Sequence, residues 1–243
     1  MQNPIRSNLE VNRRLHSVAE AQAGFFTAKQ AKNAGFSESS HSYHVHEGHW
    51  IRESRGIYRL AGFPAVLRPE LVRWHLWAMD RAGRPQGVYS HSTALGLYGT
   101  PEIDAPKTDA KLEMTVPTSF RRTGATPEGL TLHYANLKES EIAERNGYRL
   151  TTPLRTILDL AAGDAAAKGA MPQAELSKAL LGMVERRLIT RSQVEGARVP
   201  EVVRLRLEEL LAKTHAQTSI RNLRGNVVWE GNLNESRRGR VRE

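Results

Sequence analysis

Two groups of side chains could carry catalytic chemistry, and each also has a simpler structural interpretation. Ser90-His91-Ser92 places hydroxyls beside an imidazole, the pairing that activates a serine nucleophile. No G-x-S-x-G sequence surrounds these residues, so a turn or a helix cap is favoured. Arg155 and Asp159 stand four residues apart, and this spacing suits an ion pair along a helix better than a catalytic pair.

A cluster of histidines near the N-terminus, His41, His44, His46 and His49, invites a metal-site interpretation. Steps of three, two and three residues do not keep all four side chains on one helical face. Neither cysteine nor aspartate lies nearby to complete a coordination shell. We therefore expect no metal site and no cofactor, and the role of this cluster stays open.

The short motifs of several enzyme classes are missing. No glutamate is followed two positions later by lysine, so half of a common nuclease signature is absent. No D-x-D or D-x-E pair supplies the metal carboxylates of a nucleotidyltransferase, and neither a P-loop nor a G-x-G-x-x-G sequence occurs. The chain has no cysteine, which excludes disulfides, thiolate metal sites and cysteine nucleophiles. We expect a protein without enzymatic activity.

The charge is basic and unevenly distributed. The 243 residues carry a formal net charge of +9, and 40% of them are hydrophobic, enough for a normal core. Lys and Arg outnumber Asp and Glu by 8 to 5 in residues 1–62 and by 6 to 3 in residues 217–243, but only by 17 to 15 in residues 63–195. An excess at both ends predicts two interaction surfaces, with nucleic acid as the commonest acidic partner. Without an apolar run long enough for a membrane span or a signal segment, a cytoplasmic location is expected.

Residues 1–62 have the element order of a winged helix-turn-helix. Apolar spacing predicts a helix over 8–23, and Thr27 and Ser37 are suited to cap helices over 28–34 and 37–47. Two short strands, 50–52 and 57–60, flank a turn at 53–56. We expect the helix over 37–47 to be the recognition helix, with His41 and Val45 facing inward.

Small polar side chains on that helix and arginines in the hairpin suit contacts with DNA. The alternative is a winged helix used only for protein contacts. The predicted DNA-binding residues are Thr27, Lys29, Ser39, Ser40, Ser42, Tyr43, His44, Arg52, Arg55 and Arg59.

The rest of the chain predicts an α+β fold. A helix containing Trp74 and Trp77 precedes β-like runs at 87–89, 112–116 and 130–134. Thr152-Pro153 begins a helix, and another follows over 173–187. We expect four parts: a winged helix (1–62), a mixed α+β domain (63–195), a helix (196–216) and a loosely ordered basic arm (217–243).

Several runs occur in order along the chain: Gly24–Ala31, Gly35–Ser37, Arg55–Leu60, Tyr89–Leu95, Thr115–Pro117 and Thr151–Ala161. Together they resemble the AbiEi family of antitoxins. The resemblance extends in order over about residues 8–190. It implies a DNA-binding autorepressor whose C-terminal domain neutralises a partner toxin, in the founding case a nucleotidyltransferase.

The C-terminal arm contains Leu223-Arg224-Gly225 and Trp229–Leu233, followed by Arg237 and Arg238. These runs are similar to the toxin-binding tail of VapB-type antitoxins, which lies along a PIN-domain ribonuclease. Trp229 and Leu233 would serve as apolar anchors, and the two arginines would pair with acidic groups of the toxin. A basic tail that only adds nonspecific DNA affinity is the alternative.

The sequence therefore predicts an antitoxin that neutralises a partner toxin and represses its own operon by binding double-stranded operator DNA. A transcription factor unrelated to toxins is one alternative, and a nuclease-like domain without a recognisable motif is another. Operator sequence, toxin identity and oligomeric state are not predicted.

Overall fold

A computed structural model describes residues 4–65, 67–99, 111–122, 124–163 and 171–212. The described residues form both helices and strands, which confirms the predicted α+β class. The chain divides into two compact units: Met1–Ala94 with Asp109–Thr152, and Leu95–Thr108 with Pro153–Glu243. None of the helices in the described ranges is long and apolar enough to cross a membrane.

The first unit begins with a winged helix-turn-helix. Its elements are α1 (Pro4–Glu20), β1 (Phe25–Thr27), α2 (Ala28–Ala34), a 3₁₀ turn (Glu38–Ser40), α3 (His41–His46), β2 (Trp50–Ser54) and β3 (Ile57–Leu60). The three strands form an antiparallel sheet in the order β1-β3-β2. The predicted architecture is confirmed, although β1 was not predicted and the 37–47 helix is a 3₁₀ turn followed by α3.

Local sequence explains these boundaries. Thr27 accepts a hydrogen bond from the Gln30 amide while the Gln30 side chain accepts one from the Thr27 amide, so a capping box begins α2. Gly35 ends the helix in the left-handed conformation. The core beneath the helices consists of Leu15, Ala19, Phe26, Ala31, Ala34, Phe36, Trp50 and Leu60.

The remainder of the first unit is a helix with a five-stranded mixed sheet. The elements are α4 (Pro69–Trp77), β4 (Val88–Tyr89), the start of α5 (His91–Leu97), β5 (Leu112–Val116), β6 (Leu130–Tyr134), β7 (Ile142–Arg145) and β8 (Tyr148–Thr151). The strand order is β6-β5-β4-β8-β7. β5 runs parallel to β6 and β4 parallel to β8, whereas the other two pairs are antiparallel.

The second unit is helical in its described part. It contains the end of α5, α6 (Pro153–Ala162), α7 (Gln173–Glu185), α8 (Arg191–Glu195) and α9 (201–212). Its core includes Leu95, Ile157, Leu176, Leu180, Met183 and Leu210. Arg155 donates from Nε to Asp159 Oδ1 at 2.7 Å, so the ion pair predicted from their spacing is present.

The contact-based division between Thr152 and Pro153 falls inside the expected 63–195 domain. The predicted organisation of the chain into four parts stays a prediction. The whole of the expected basic arm (217–243), including Trp229, Leu233, Arg237 and Arg238, lies outside the described residues.

Candidate nucleic-acid interface

The 3₁₀ turn Glu38–Ser40 and α3 together form the predicted recognition element. Its inner face packs on an aromatic cluster, as its predicted orientation requires. His41 is only 5% exposed, and its ring lies 5.3 Å from Trp50 and 5.7 Å from Tyr58 between centroids. Val45 is half-buried against the same core. The predicted inward positions are therefore confirmed. Burial lowers the pKa of His41, although Glu38 opposes this shift, so the neutral imidazole fits the apolar site.

The outer face of the recognition element carries small polar groups. Ser39, Ser42, Tyr43 and His46 are exposed, and Tyr43 is 58% exposed. Ser40 is half-buried, and its Oγ donates to the Ser37 carbonyl at 2.7 Å. Among the described residues, the Ser42 and Tyr43 hydroxyls have no hydrogen-bond partner. This face can therefore donate hydrogen bonds to base edges and phosphates and accept them from base edges.

The hairpin of β2 and β3 forms the wing, with Arg55 and Gly56 at its turn. Arg52 and Arg55 are exposed, and within the described part of the chain neither has an acidic partner. The wing thus presents two cationic side chains to solvent beside the recognition element.

Four of the predicted DNA-binding residues make other contacts. The Thr27 hydroxyl caps α2, and the Lys29 ammonium donates to the Arg81 carbonyl. Arg59 pairs with Glu53 at 2.8 Å, with both side chains mostly buried. The half-buried His44 ring stacks on Trp50. Burial and the neighbouring His49 and His41 lower the pKa of His44. These contacts favour a supporting role for all four residues, and their predicted DNA contacts stay predictions.

A cleft of about 1220 Å³ begins at the wing and was not predicted from the sequence. Arg55 and Gly56 line it on one side. The other lining residues include Trp74, Trp77, Arg81, Arg121 and Arg122. Its single acidic group is Asp80, which is paired with Arg84 at 2.8 Å. The cleft therefore combines positive charge with indole surface, a combination suited to the backbone and bases of nucleic acid.

Arg122 joins the two properties of this cleft. Its guanidinium lies 4.9 Å from the centre of the Trp77 ring, and its Nη1 donates to the Met79 carbonyl at 3.2 Å. Burial lowers the pKa of Arg122, yet a guanidinium stays charged at neutral pH. The side chain is thus held in place before any ligand arrives. Because the lining comes from segments far apart in the chain, no local pattern could have indicated it.

Comparison with known proteins identifies the family of the winged segment. Residues 13–61 match the family described as "Transcriptional regulator, AbiEi antitoxin". The resemblance to AbiEi antitoxins is thereby confirmed for this segment. The match covers α2, α3 and both wing strands, so the recognition element and the wing lie inside the AbiEi segment. Most residues that line the cleft, including Trp74, Trp77 and Arg122, lie outside it. The VapB-like arm is outside it.

A solved structure extends the likeness in fold beyond the AbiEi segment. The crystal structure of RV2827C protein from Mycobacterium tuberculosis superposes with a TM-score of 0.51, covering 84% of this chain and 77% of that chain. At 17% sequence identity, this likeness concerns the fold alone. No curated protein matches the chain.

Proposed function

We propose that this protein is an AbiEi-type antitoxin that binds operator DNA through its winged helix and represses its own operon. The observation that carries the DNA-binding part is the exposed polar face of the recognition element beside the unpaired wing arginines. Ser42 and Tyr43 would enter the major groove, while Arg52 and Arg55 would contact phosphates or the minor groove.

The cleft beside the wing would continue the same binding path. Arg55 belongs to both surfaces, so a DNA strand held at the wing lies next to Arg81, Arg121 and Arg122. These three arginines would contact phosphates without reading sequence. The indoles of Trp74 and Trp77 would offer stacking surface to a sugar or an unpaired base.

Titration of operator DNA with the full chain tests this proposal. With about four to six phosphate contacts, log K should fall against log salt with a slope near −4 to −5. Lys178→Ala is the matched control, because Lys178 is an exposed cation of the helical unit without an ion-pair partner in the described chain. Equal weakening by Arg55→Ala and Lys178→Ala would mean that only net charge matters, and the wing assignment would then be wrong.

Neutralisation of a toxin is the second half of the proposal. It rests on the family description and on the apolar anchors Trp229 and Leu233 in the basic arm. A nucleotidyltransferase-type toxin or a PIN-domain ribonuclease would be the partner. Growth rescue against the product of a neighbouring gene separates an antitoxin from a transcription factor unrelated to toxins. Nuclease assays on the purified chain address the nuclease-like alternative.

A further inference from the structure

Two histidines and a glutamate meet at the β5–β6 edge of the five-stranded sheet. His91 begins α5, Glu113 lies on β5 and His133 lies on β6. One donor atom from each lies within 4.8 Å of the other two. In the parallel register Glu113 is opposite Thr131 and Thr115 is opposite His133, so Glu113 and His133 are diagonal neighbours on one face.

Outer hydrogen bonds hold these three side chains in their orientation. Ser90 Oγ lies 2.9 Å from Nδ1 of His91 and accepts a hydrogen bond from Thr115 Oγ1 at 2.8 Å. The Ser92 amide donates to Glu113 Oε2 at 2.8 Å, and the Ser92 hydroxyl donates to the same oxygen. Glu113 Oε1 faces Nε2 of His133 at 3.2 Å. The contacts of Ser90 and Ser92 are of the second-layer kind that is typical of metal-binding histidines and carboxylates, whose affinity depends on them. The contact between Glu113 and His133 joins two of the three side chains directly.

Neither Ser90 as a nucleophile nor a simple ion pair accounts for this arrangement. Ser90 is completely buried, so no substrate can reach its hydroxyl. An ion pair between Glu113 and His133 does not require His91, yet the His91 imidazole lies on that of His133, with centroids 3.7 Å apart and planes 18° apart. Because an imidazole nitrogen donates within the plane of its ring, the two rings would have to turn out of this stack for both to bind one ion. His91 also adopts a positive φ of 51°, a conformation that costs energy in a residue with a side chain.

We propose that His91, Glu113 and His133 bind one divalent transition-metal ion of the zinc class, with water completing the coordination. Two imidazoles and one carboxylate favour zinc over magnesium or calcium, which take oxygen ligands. With metal–ligand bonds of about 2.0–2.2 Å, tetrahedral ligands lie about 3.4 Å apart. All three side chains are half-buried, so they can close around an ion and leave one position open to solvent.

Metal titration of the full chain, without a polyhistidine tag and after treatment with EDTA, tests this site. Calorimetry with Zn²⁺ should give one equivalent, and Co²⁺ should produce the visible absorption of a tetrahedral complex, whereas Mg²⁺ should give no signal. His133→Ala and Glu113→Gln should each lower affinity by more than about 100-fold, because direct ligands matter more than outer contacts. Ser92→Ala removes an exposed outer partner and should lower affinity about 10-fold.

His49→Ala is the matched control, because Nδ1 of His44 and Nδ1 of His49 lie 3.5 Å apart and form the other histidine pair of this unit. It should leave affinity unchanged. Circular dichroism of each variant distinguishes loss of a metal-binding side chain from loss of the fold. Ser92→Ala tests the site without changing a buried side chain. Absence of Zn²⁺ binding to the wild-type protein, or loss of binding only in His49→Ala, would overturn the proposal.

Discussion

The imidazole of His44 lies almost parallel to the indole of Trp50, with 4.7 Å between centroids and 20° between planes. Phe36 meets the same imidazole edge-on at 5.0 Å. Both partners are buried in the N-terminal core. The histidine thereby fixes the recognition helix on that core, whereas Ser42 and Tyr43 are exposed on the opposite face.

His44→Ala should therefore destabilise the winged unit without changing operator preference. Loss of two ring contacts should cost about 1–2 kcal/mol of unfolding free energy. Denaturation followed by tryptophan fluorescence measures the cost, since three of the four tryptophans, Trp50, Trp74 and Trp77, lie in the first unit. Unchanged stability with an altered base preference would show that His44 contacts DNA directly.

Tyr43→Ala and Arg55→Ala should differ in how they weaken binding. Tyr43 is exposed on the outer face of the recognition element, so its loss should change the ranking of operator variants. We expect about 1–3 kcal/mol of binding free energy to be lost at the contacted base. Arg55 would contact phosphate, so its loss should weaken all sequences equally and reduce the salt slope by about 1. Competition gel shifts over single-base operator variants distinguish the two patterns.

Arg155 and Asp159 should couple strongly in a double-mutant cycle. Their side chains are only 23% and 10% exposed, and Nε of Arg155 lies 2.7 Å from Oδ1 of Asp159. We therefore expect a coupling free energy of about 1–2 kcal/mol. Arg191 and Glu195 are the matched control, with the same spacing and distance but about half exposed. That pair should give about 0.5 kcal/mol or less. Similar couplings for the two pairs would contradict a special structural role for Arg155 and Asp159.

Acid should destabilise the first unit through His75. Burial, together with Arg149, lowers the pKa of His75 to about 4, although a hydrogen bond to the Gly87 backbone opposes the shift. Because the unfolded chain takes up the proton near pH 6.5, stability is present above that pH and is lost as pH falls toward 4. The loss should approach about 3 kcal/mol.

His75→Leu should flatten this pH dependence whatever its effect on absolute stability. Urea denaturation monitored by tryptophan fluorescence between pH 7 and 4 gives the slope. His46→Gln is the control, since His46 is exposed on the recognition helix. A slope that persists in His75→Leu would place the proton uptake elsewhere, for instance at His41 or His44, whose pKa values burial also lowers.

Trp229→Ala should impair growth rescue against the cognate toxin while operator affinity changes by less than about twofold. Phosphate attraction requires only charge, whereas an arm that orders on a protein needs apolar anchors to offset its lost entropy. Rescue assays and gel shifts on the same variant provide the comparison. Lost operator affinity with intact rescue would favour the basic-tail alternative.

Helices with capping signals were predicted from the sequence, whereas the strands β1, β7 and β8 were missed. The helix begun by Thr27 follows from its capping residues, whereas β1 has three residues and exists only by pairing with β3. β7 and β8 were missed despite Asn146-Gly147, a strong hairpin signal. The group His91, Glu113 and His133 could not be foreseen, because the register of β5 and β6 brings its members together.

Gly24 and Gly147 lie where the winged segment packs closely against the rest of its unit. A Cβ on Gly24 would lie 2.5 Å from Cγ of Phe63, and one on Gly147 would lie 3.0 Å from the Ala21 carbonyl oxygen. The winged segment therefore fits against Phe63 and against the β7–β8 turn with no space for a methyl group. A fragment of residues 1–62 transferred to another protein would lack both of these packing surfaces. A transferred unit that keeps both contacts would include residue 63 and the 142–151 hairpin.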